Sequence, residues 1–523
     1  MRFTCPWAGP SSITSSAWGA DMGKLRQLHR ELTLDRAAGT GLSRRFSARL
    51  AVVSALLLQS ACVTSVITPE LETRAGNSMS QQVADQIGLY MDPELERYLD
   101  MVGQRLVDAL EDTPYQFQFA LVDQAEPNAF ASPGGFIYVS RGLMAQINDE
   151  AELAGVLAHE ISHVTRRHHV RQAGRSLGAG LLTLPGRAVG VVSSDLGQMI
   201  NAPIEHAGKL YLSSYSRAQE SEADAYGMRL ASAAGYEPLA LADALEGIEN
   251  SLFLLTGEHH QATYLDTHPT TPRRVAEIDR LARELHTVPA QALADRKLLY
   301  RYLDGLWWGP QNPQQGIFRD NLFLSADLGL AVSFPAGWQT VNTPRFVGAM
   351  EPDGEAYLAL GLNPGEFSPD TYATALINRM RDRTGLQPVA SRDFRIGQWP
   401  AHLVRYDDDG EAGLVSLYYV FLNSGSHSFT FMAMGREPHR QSLQTSVMGI
   451  APLSSAQAAT IGGLRLRIAS INAGESLTDW SRRVGSSWSP AFTAAVNGLE
   501  ETAPVTAQRE LKYVRRERYA SGQ

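Results

Sequence analysis

Leu157-Ala158-His159-Glu160-Ile161-Ser162-His163-Val164 is the stretch on which the rest of the chain turns. It lies in a window whose apolar residues, Leu153, Val156, Leu157, Ile161 and Val164, recur at helical spacing. The window reads as a helix with one buried face, running from Asp149 to about Arg171. Four residues make roughly one helical turn, so His159 and His163 leave the helix on the same side. Two imidazoles so placed can hold one divalent ion. Glu160, beside the first of them, can take a proton from a water activated there. Zinc suits that work, because it brings the pKa of water towards neutrality and polarises a carbonyl. The pentapeptide is only moderately specific alone, and its context decides.

A third ligand is offered by Ser216-Arg217-Ala218-Gln219-Glu220-Ser221-Glu222-Ala223-Asp224. Glu220 lies 57 residues beyond His163, in a second helical pattern carried by Ala223, Met228 and Leu230. Glu220 and Asp224 are four apart and share a face. One can ligate a metal while the other accepts a hydrogen bond from a ligating histidine and fixes its tautomer. Glu222 sits two residues off that face. The chain has only two cysteines, Cys5 and Cys62. A zinc site must therefore be built from histidines and carboxylates, and no disulfide framework exists after Cys62.

Around this core the pattern is mainly helical from Ser80 to about Glu284, with one β-like interlude. Asp92-Pro93-Glu94 opens a helix, Asp92 as N-cap and Pro93 in the first turn. Gln116 to Val122 alternates as a half-buried strand does. Pro133-Gly134-Gly135 is a turn, and Phe136 to Val139 a second strand. Between them, Asn128-Ala129-Phe130-Ala131 is a candidate edge segment, able to pair with an extended peptide or simply to complete the sheet.

His-Glu-x-x-His at 159–163 and Glu-x-x-x-Asp at 220–224 together resemble metallopeptidase family 48, the gluzincins of the HtpX, CAAX prenyl protease and BepA-like branches. Asn128 to Ala131, Gly134-Gly135 and Gly142-Leu143 resemble the family's strand region. Thr267-His268-Pro269 with Arg274 resembles its H-P-x-x-x-x-R element. The likeness covers about residues 80–284. It implies a mainly helical zincin-type domain with a small sheet, binding one Zn2+ per chain. By that resemblance Glu220 is the third ligand, Asp224 its hydrogen-bonding neighbour and Glu160 the base. His268 would be a displaceable fourth ligand that shuts the site, and Arg274 a catalytic residue stabilising the oxyanion. His168, His169, His206, His259 and His260 lack such spacing and read as surface residues.

The 523 residues suggest several domains. Residues 1–61 read as an extension and signal peptide: Arg44, Arg45 and Arg49 precede the short apolar run Leu50 to Leu58. Ser60-Ala61-Cys62 resembles a lipobox, which would lipidate Cys62; Gln59 departs from that pattern, and a plain signal peptide is the alternative. Residues 62–290 form the expected metalloprotease domain. Residues 176–204 within it, interrupted by Pro185, Arg187 and Asp195, read as a loop or broken helix. Residues 291–458 form an α+β module whose Pro335-Ala336-Gly337-Trp338 run resembles modules of the PsbP kind. Residues 459–523, with Gly474-Glu475-Ser476-Leu477, Trp480 and Val496-Asn497-Gly498-Leu499, resemble a LysM repeat. The expected class is thus α+β and multidomain.

Apolar residues make up 44% and the formal net charge is -9, which suits a globular chain and argues against nucleic acid as a partner. The expected partners are protein or peptide substrates, including misassembled outer-membrane proteins, with peptidoglycan contact through the tail. The expected place is the periplasm of a Gram-negative bacterium, on the outer membrane through Cys62. Of the secreted lipoprotein branch of the family, a zinc-dependent endopeptidase acting in envelope protein quality control is the leading reading. A non-proteolytic chaperone on the same fold and a peptidoglycan-anchored protein are the rivals.

Overall fold

The computed structural model describes residues 67–176, 215–256, 264, 268, 272–285, 296–363, 365, 368–410, 413–502 and 505–521. The expectations for the signal segment and Cys62, for 177–204, and for His206, His259 and His260 lie outside the described residues.

Helices α1 (Pro69–Gln86) and α2 (Pro93–Asp108) come first. As the sequence implies, Asp92 caps α2 by accepting from Leu95 N–H, with Pro93 in the first turn. A three-stranded sheet follows: β1 (Gln118–Val122), β2 (Ala129–Ser132) and β3 (Phe136–Ser140), in the order β1-β3-β2. β1 runs parallel and β2 antiparallel to β3. The β2–β3 turn needs positive φ at Gly134 and Gly135, and a β-carbon at Gly134 would come within 2.5 Å of the Thr73 backbone.

After the short α3 (Arg141–Gln146) comes α4 (Glu150–Thr165), which carries the His-Glu-x-x-His run. Asp149 caps it, accepting from Glu152 N–H. Every residue of α4 from Glu150 to Val164 is buried, because α2, β2, β3, α6 (Arg217–Ala233) and α7 (Ala240–Thr256) pack around it. The helix expected to reach Arg171 instead breaks: α4 stops at Thr165, Arg167 takes φ 53, and α5 (His168–Ser176) starts anew. α8 (Pro272–Glu284) and α9 (Arg296–Leu303) finish the helical part.

Strand β4 (Trp307–Trp308) leads into a β-rich module. β5 (Ile317–Arg319), β6 (Leu322–Ser325), β7 (Leu330–Ser333), β8 (Gln339–Asn342), β9 (Phe346–Met350) and β10 (Ala356–Leu362) precede α10 (Pro369–Thr384). β11 (Ala390–Ile396), β12 (Trp399–Gly410), β13 (Gly413–Asn423), β14 (Ser428–Arg436), α11 (Arg440–Val447) and β15 (Ile450–Pro452) follow it. They form a seven-stranded antiparallel sheet, β11-β12-β13-β14-β10-β9-β8, and a four-stranded one, β15-β7-β6-β5. The expected hairpin turn at Asn423–Ser426 joins β13 to β14, closed by Ser424 N–H donating to the His427 carbonyl.

The last part runs strand, helix, helix, strand: β16 (Gly462–Ile471), α12 (Leu477–Val484), α13 (Pro490–Val496) and β17 (Arg509–Arg518), after the single turn Ser455–Ala458. β16 pairs with β17 and with β4. Leu466, Trp488, Phe492, Val496 and Val514 belong to the same hydrophobic core as α2, α4 and α7. Buried Lys512 on β17 donates its Nζ to the carbonyls of Gln146 (2.8 Å) and Ile147 (2.7 Å), at the end of α3. Among the described residues no helix is long and apolar enough to cross a membrane.

Candidate metal centre

His159 and His163 are one turn apart on α4, and their Nε2 atoms lie 3.0 Å from each other. Glu220 comes from the first turn of α6, where Gln219 reaches back to accept from Ser216 N–H (3.1 Å) and squares the helix start. α6 can lie this close to α4 because residue 227 is glycine. A β-carbon there would stand 2.9 Å from His159 N and 3.0 Å from the Ala158 carbonyl carbon.

Glu220 Oε2 lies 3.5 Å from His159 Nε2, and Oε1 lies 3.5 Å from His163 Nε2. His268 completes the group: its Nδ1 is 3.1 Å from His159 Nε2 and 3.0 Å from Glu220 Oε2. Ligand atoms of these four buried residues all lie within 4.8 Å of one another. Ligands about 2.1 Å from a tetrahedral ion stand roughly 3.4 Å apart, and the pairs just given lie between 3.0 and 3.5 Å. Glu160 is fully buried and neither carboxylate oxygen has a hydrogen-bond partner; its Oε1 lies 3.4 Å from His268 Nε2. A buried carboxylate left so, beside converging donors, fits an ion and a water rather than a closed protein network.

The neighbours of the group hold it in place. Asp224, one turn beyond Glu220, puts Oδ1 3.0 Å from His159 Nδ1. That approach is short but falls outside straight hydrogen-bond geometry, so it is an ion-pair contact. Arg274 on α8 donates two parallel hydrogen bonds of 2.8 Å to Asp224 and a third of 2.7 Å to the His268 carbonyl. Its fork is thus committed to Asp224. Tyr264 stacks on the His268 ring at 4.4 Å and donates its N–H to the Pro127 carbonyl, just before β2. Glu222 points away from the centre to Arg166 (2.6 Å) and Arg171 (3.1 Å).

The charges follow from these contacts. Burial pushes His159 down, but Asp224 and Glu220 outweigh it and hold the imidazole at about 9. Burial, then the neighbouring His159 and His268, put His163 well below the usual range. Burial would raise Glu220 and Asp224, yet His268 with His159, and Arg274 with His159, keep both carboxyls below their ordinary values.

Of the edge segment, Ala129, Phe130 and Ala131 lie in β2, which packs on α4 and among the described residues pairs only with β3. Asn128 precedes the strand, its N–H donating to Ser140 Oγ (2.8 Å). Two residues depart from the sequence reading. His168, expected at the surface, is fully buried against His163, because the break at Arg167 turns it inward; His169 is half-buried, accepting from or donating to the Tyr215 hydroxyl at 2.8 Å. Tyr215, not singled out in the sequence, stacks on the His163 ring at 3.9 Å.

Comparison with known proteins agrees with this geometry. Residues 93–282 match the model of peptidase family M48. The chain is 27% identical over 266 residues to a beta-barrel assembly-enhancing protease of Yersinia pestis, covering 47% of this chain and 53% of that protein. It is 28% identical over 243 residues to the protein of the same name in Escherichia coli, covering 43% and 49%. The chain thus spans about half the length of these curated relatives. A solution structure of cyanobacterial PsbP matches 28% of this chain and 99% of its own, at 11% identity and a TM-score of 0.22, too slight a likeness to carry an argument.

Proposed function

We propose that this chain, whose residues 93–282 match the model of peptidase family M48, is a zinc-dependent endopeptidase. The observation that carries this is the buried Glu160 carboxylate, which accepts no hydrogen bond, beside four converging ligand atoms. His159, His163 and Glu220 would hold the ion, which when bound polarises the scissile carbonyl and acidifies water. Glu160 accepts the proton of the attacking water and returns it to the leaving amine. The chain itself supplies a dry, preformed cradle, so little reorganisation is needed at the moment of reaction.

Substrate would enter as an extended strand along β2, whose open edge lies on the helix that carries Glu160. His268, with Nδ1 3.0 Å from Glu220 Oε2 and Nε2 3.4 Å from Glu160 Oε1, would take the fourth position and hold the site shut. Opening it would mean moving His268, and Arg274 would act by fixing Asp224 and the His268 carbonyl. The substrates we infer are proteins of the bacterial envelope, outer-membrane proteins foremost, with the enzyme in the periplasm and anchored through Cys62. The names of the relatives support the substrate class.

The test is zinc content and casein cleavage by the purified protein and its Glu160→Gln variant. One zinc per chain in both, with cleavage in the wild type alone, is expected. Full cleavage by Glu160→Gln would refute the mechanism, and a wild type that holds no zinc would refute the site.

A further inference from the structure

His163 has its Nε2 towards His159 and Glu220, at 3.0 and 3.5 Å. If that nitrogen is to give its lone pair to an ion, the ring proton must sit on Nδ1. Nδ1 faces one partner, His168 Nδ1, at 2.9 Å. His168 must then accept, which puts its own proton on Nε2, facing Glu222 Oε2 at 3.4 Å. Glu222 in turn is held by Arg166 and Arg171. Each hydrogen points outward from the centre along one line, and each ring is neutral.

We propose that His168 is a positioning residue for the ligand His163, fixing its tautomer and ring angle from behind. The inference rests on the reading of His159, His163 and Glu220 as metal ligands and adds a residue to it. It gives the two helix ligands unlike supports: a carboxylate braced by Arg274 behind His159, and a neutral imidazole braced by Glu222 behind His163.

The backbone is shaped to this end. In an unbroken helix, position 168 would point roughly 140° away from position 163. The break brings it back, at the cost of a non-glycine residue at φ 53, on the order of 1 kcal/mol. Arg167 is held there by buried Glu72, whose Oε1 accepts from Nε at 2.8 Å, and by the Ile67 carbonyl. Tyr115 donates to the same carboxylate at 3.1 Å. From the other side, Gln219 donates its Nε2 to the His168 carbonyl at 3.1 Å, tying position 168 to the residue before Glu220. Contacts from α1, from α6 and from Ile67 and Tyr115 thus hold a locally unfavourable turn whose visible product is one imidazole against one ligand.

The experiment compares wild type, His168→Leu, His168→Asn and Glu222→Ala. The readouts are zinc affinity against a chromogenic chelator, the visible spectrum with Co2+, and thermal unfolding without metal. Asparagine keeps an acceptor where Nδ1 stood; leucine does not. His168→Leu should bind zinc about 10- to 100-fold more weakly and shift the Co2+ bands. His168→Asn should stay close to wild type in both, with the two metal-free variants melting alike. Equal affinity in wild type and His168→Leu would overturn the proposal, as would an asparagine variant as weak as the leucine one. Should His168→Leu not fold, Glu222→Ala decides: a smaller loss of zinc affinity supports the relay, and unchanged affinity overturns it. A wild type without tight zinc would defeat the ligand reading first, and this inference with it.

Discussion

Arg274 and Asp224 offer the sharpest test of how the centre is held. Their side chains are 5% and 2% exposed and share two 2.8 Å hydrogen bonds. Removing one member of such a buried pair leaves the other charged and stranded, at about 3–5 kcal/mol. Arg274→Met leaves Asp224 with His159 alone. Asp224→Asn leaves the guanidinium with Glu220 Oε2 at 3.3 Å and the His268 carbonyl, so its loss should lie near the lower end. In Arg274→Met/Asp224→Asn no charge is stranded, and the double loss should fall short of the sum by about 2–3 kcal/mol. Each single change should also weaken zinc by about 10- to 100-fold, because Asp224→Asn removes the charge behind His159 and Arg274→Met removes what fixes Asp224 there. Urea unfolding of the four proteins, zinc competition and kcat/KM on a peptide complete the cycle. The reasoning fails if Arg274→Met binds zinc and unfolds like wild type while kcat falls, with the two substitutions additive in kcat/KM. That pattern would put the guanidinium on the reacting carbonyl.

Gly227→Ala should push α6 from α4, since its β-carbon would meet the backbone of residues 158 and 159 within about 3 Å. We expect a loss of about 1–3 kcal/mol by urea unfolding and weaker zinc by chelator competition, whereas Gly247→Ala, with open space around its β-carbon, should leave zinc unchanged and stabilise α7 by about 0.5–1 kcal/mol. His268→Ala should raise casein cleavage while leaving one zinc bound; lower cleavage with zinc retained would count against a shut fourth position. Lys512 and Glu152 give a pH prediction. Burial pulls Lys512 from 10.5 down to about 7 and lifts Glu152 from 4.5 to about 7. Above pH 7 the unfolded lysine keeps a proton the folded one has given up, so this contribution to stability rises towards pH 10.5. Below pH 7 the folded glutamate holds a proton the unfolded one lacks, so its contribution rises towards pH 4.5. The stability difference between wild type and Lys512→Met, followed by urea unfolding, should therefore grow in favour of wild type from pH 7 to 10; a flat difference would refute it.

What the sequence made legible was whatever repeats within one turn of a regular element. His159 with His163, and Glu220 with Asp224, are each four apart on a helix, so spacing alone placed them on common faces, and α4 and α6 then met as two such faces must. Asp92 was legible as a cap for a similar reason, since it precedes an apolar helical pattern. The tail's β16 carried a readable period as well: Leu464, Leu466 and Ile468 alternate with Arg465 and Arg467. The unread parts depend on where regularity stops. His168 was set aside because five residues from His163 is the wrong face of a helix, and it became a buried neighbour only because Arg167 leaves the helical region. Lys512 was not singled out in the sequence, and its meaning comes from the Gln146 and Ile147 carbonyls, 366 and 365 residues away. Such a contact leaves no local trace, because a buried lysine is costly on its own and tolerable only with partners that tertiary structure provides. By the same logic His168 is worth its break only if His163 needs a fixed proton. The His168 variants decide that point, because a break that serves only to end α4 would leave zinc affinity unchanged when His168 is replaced.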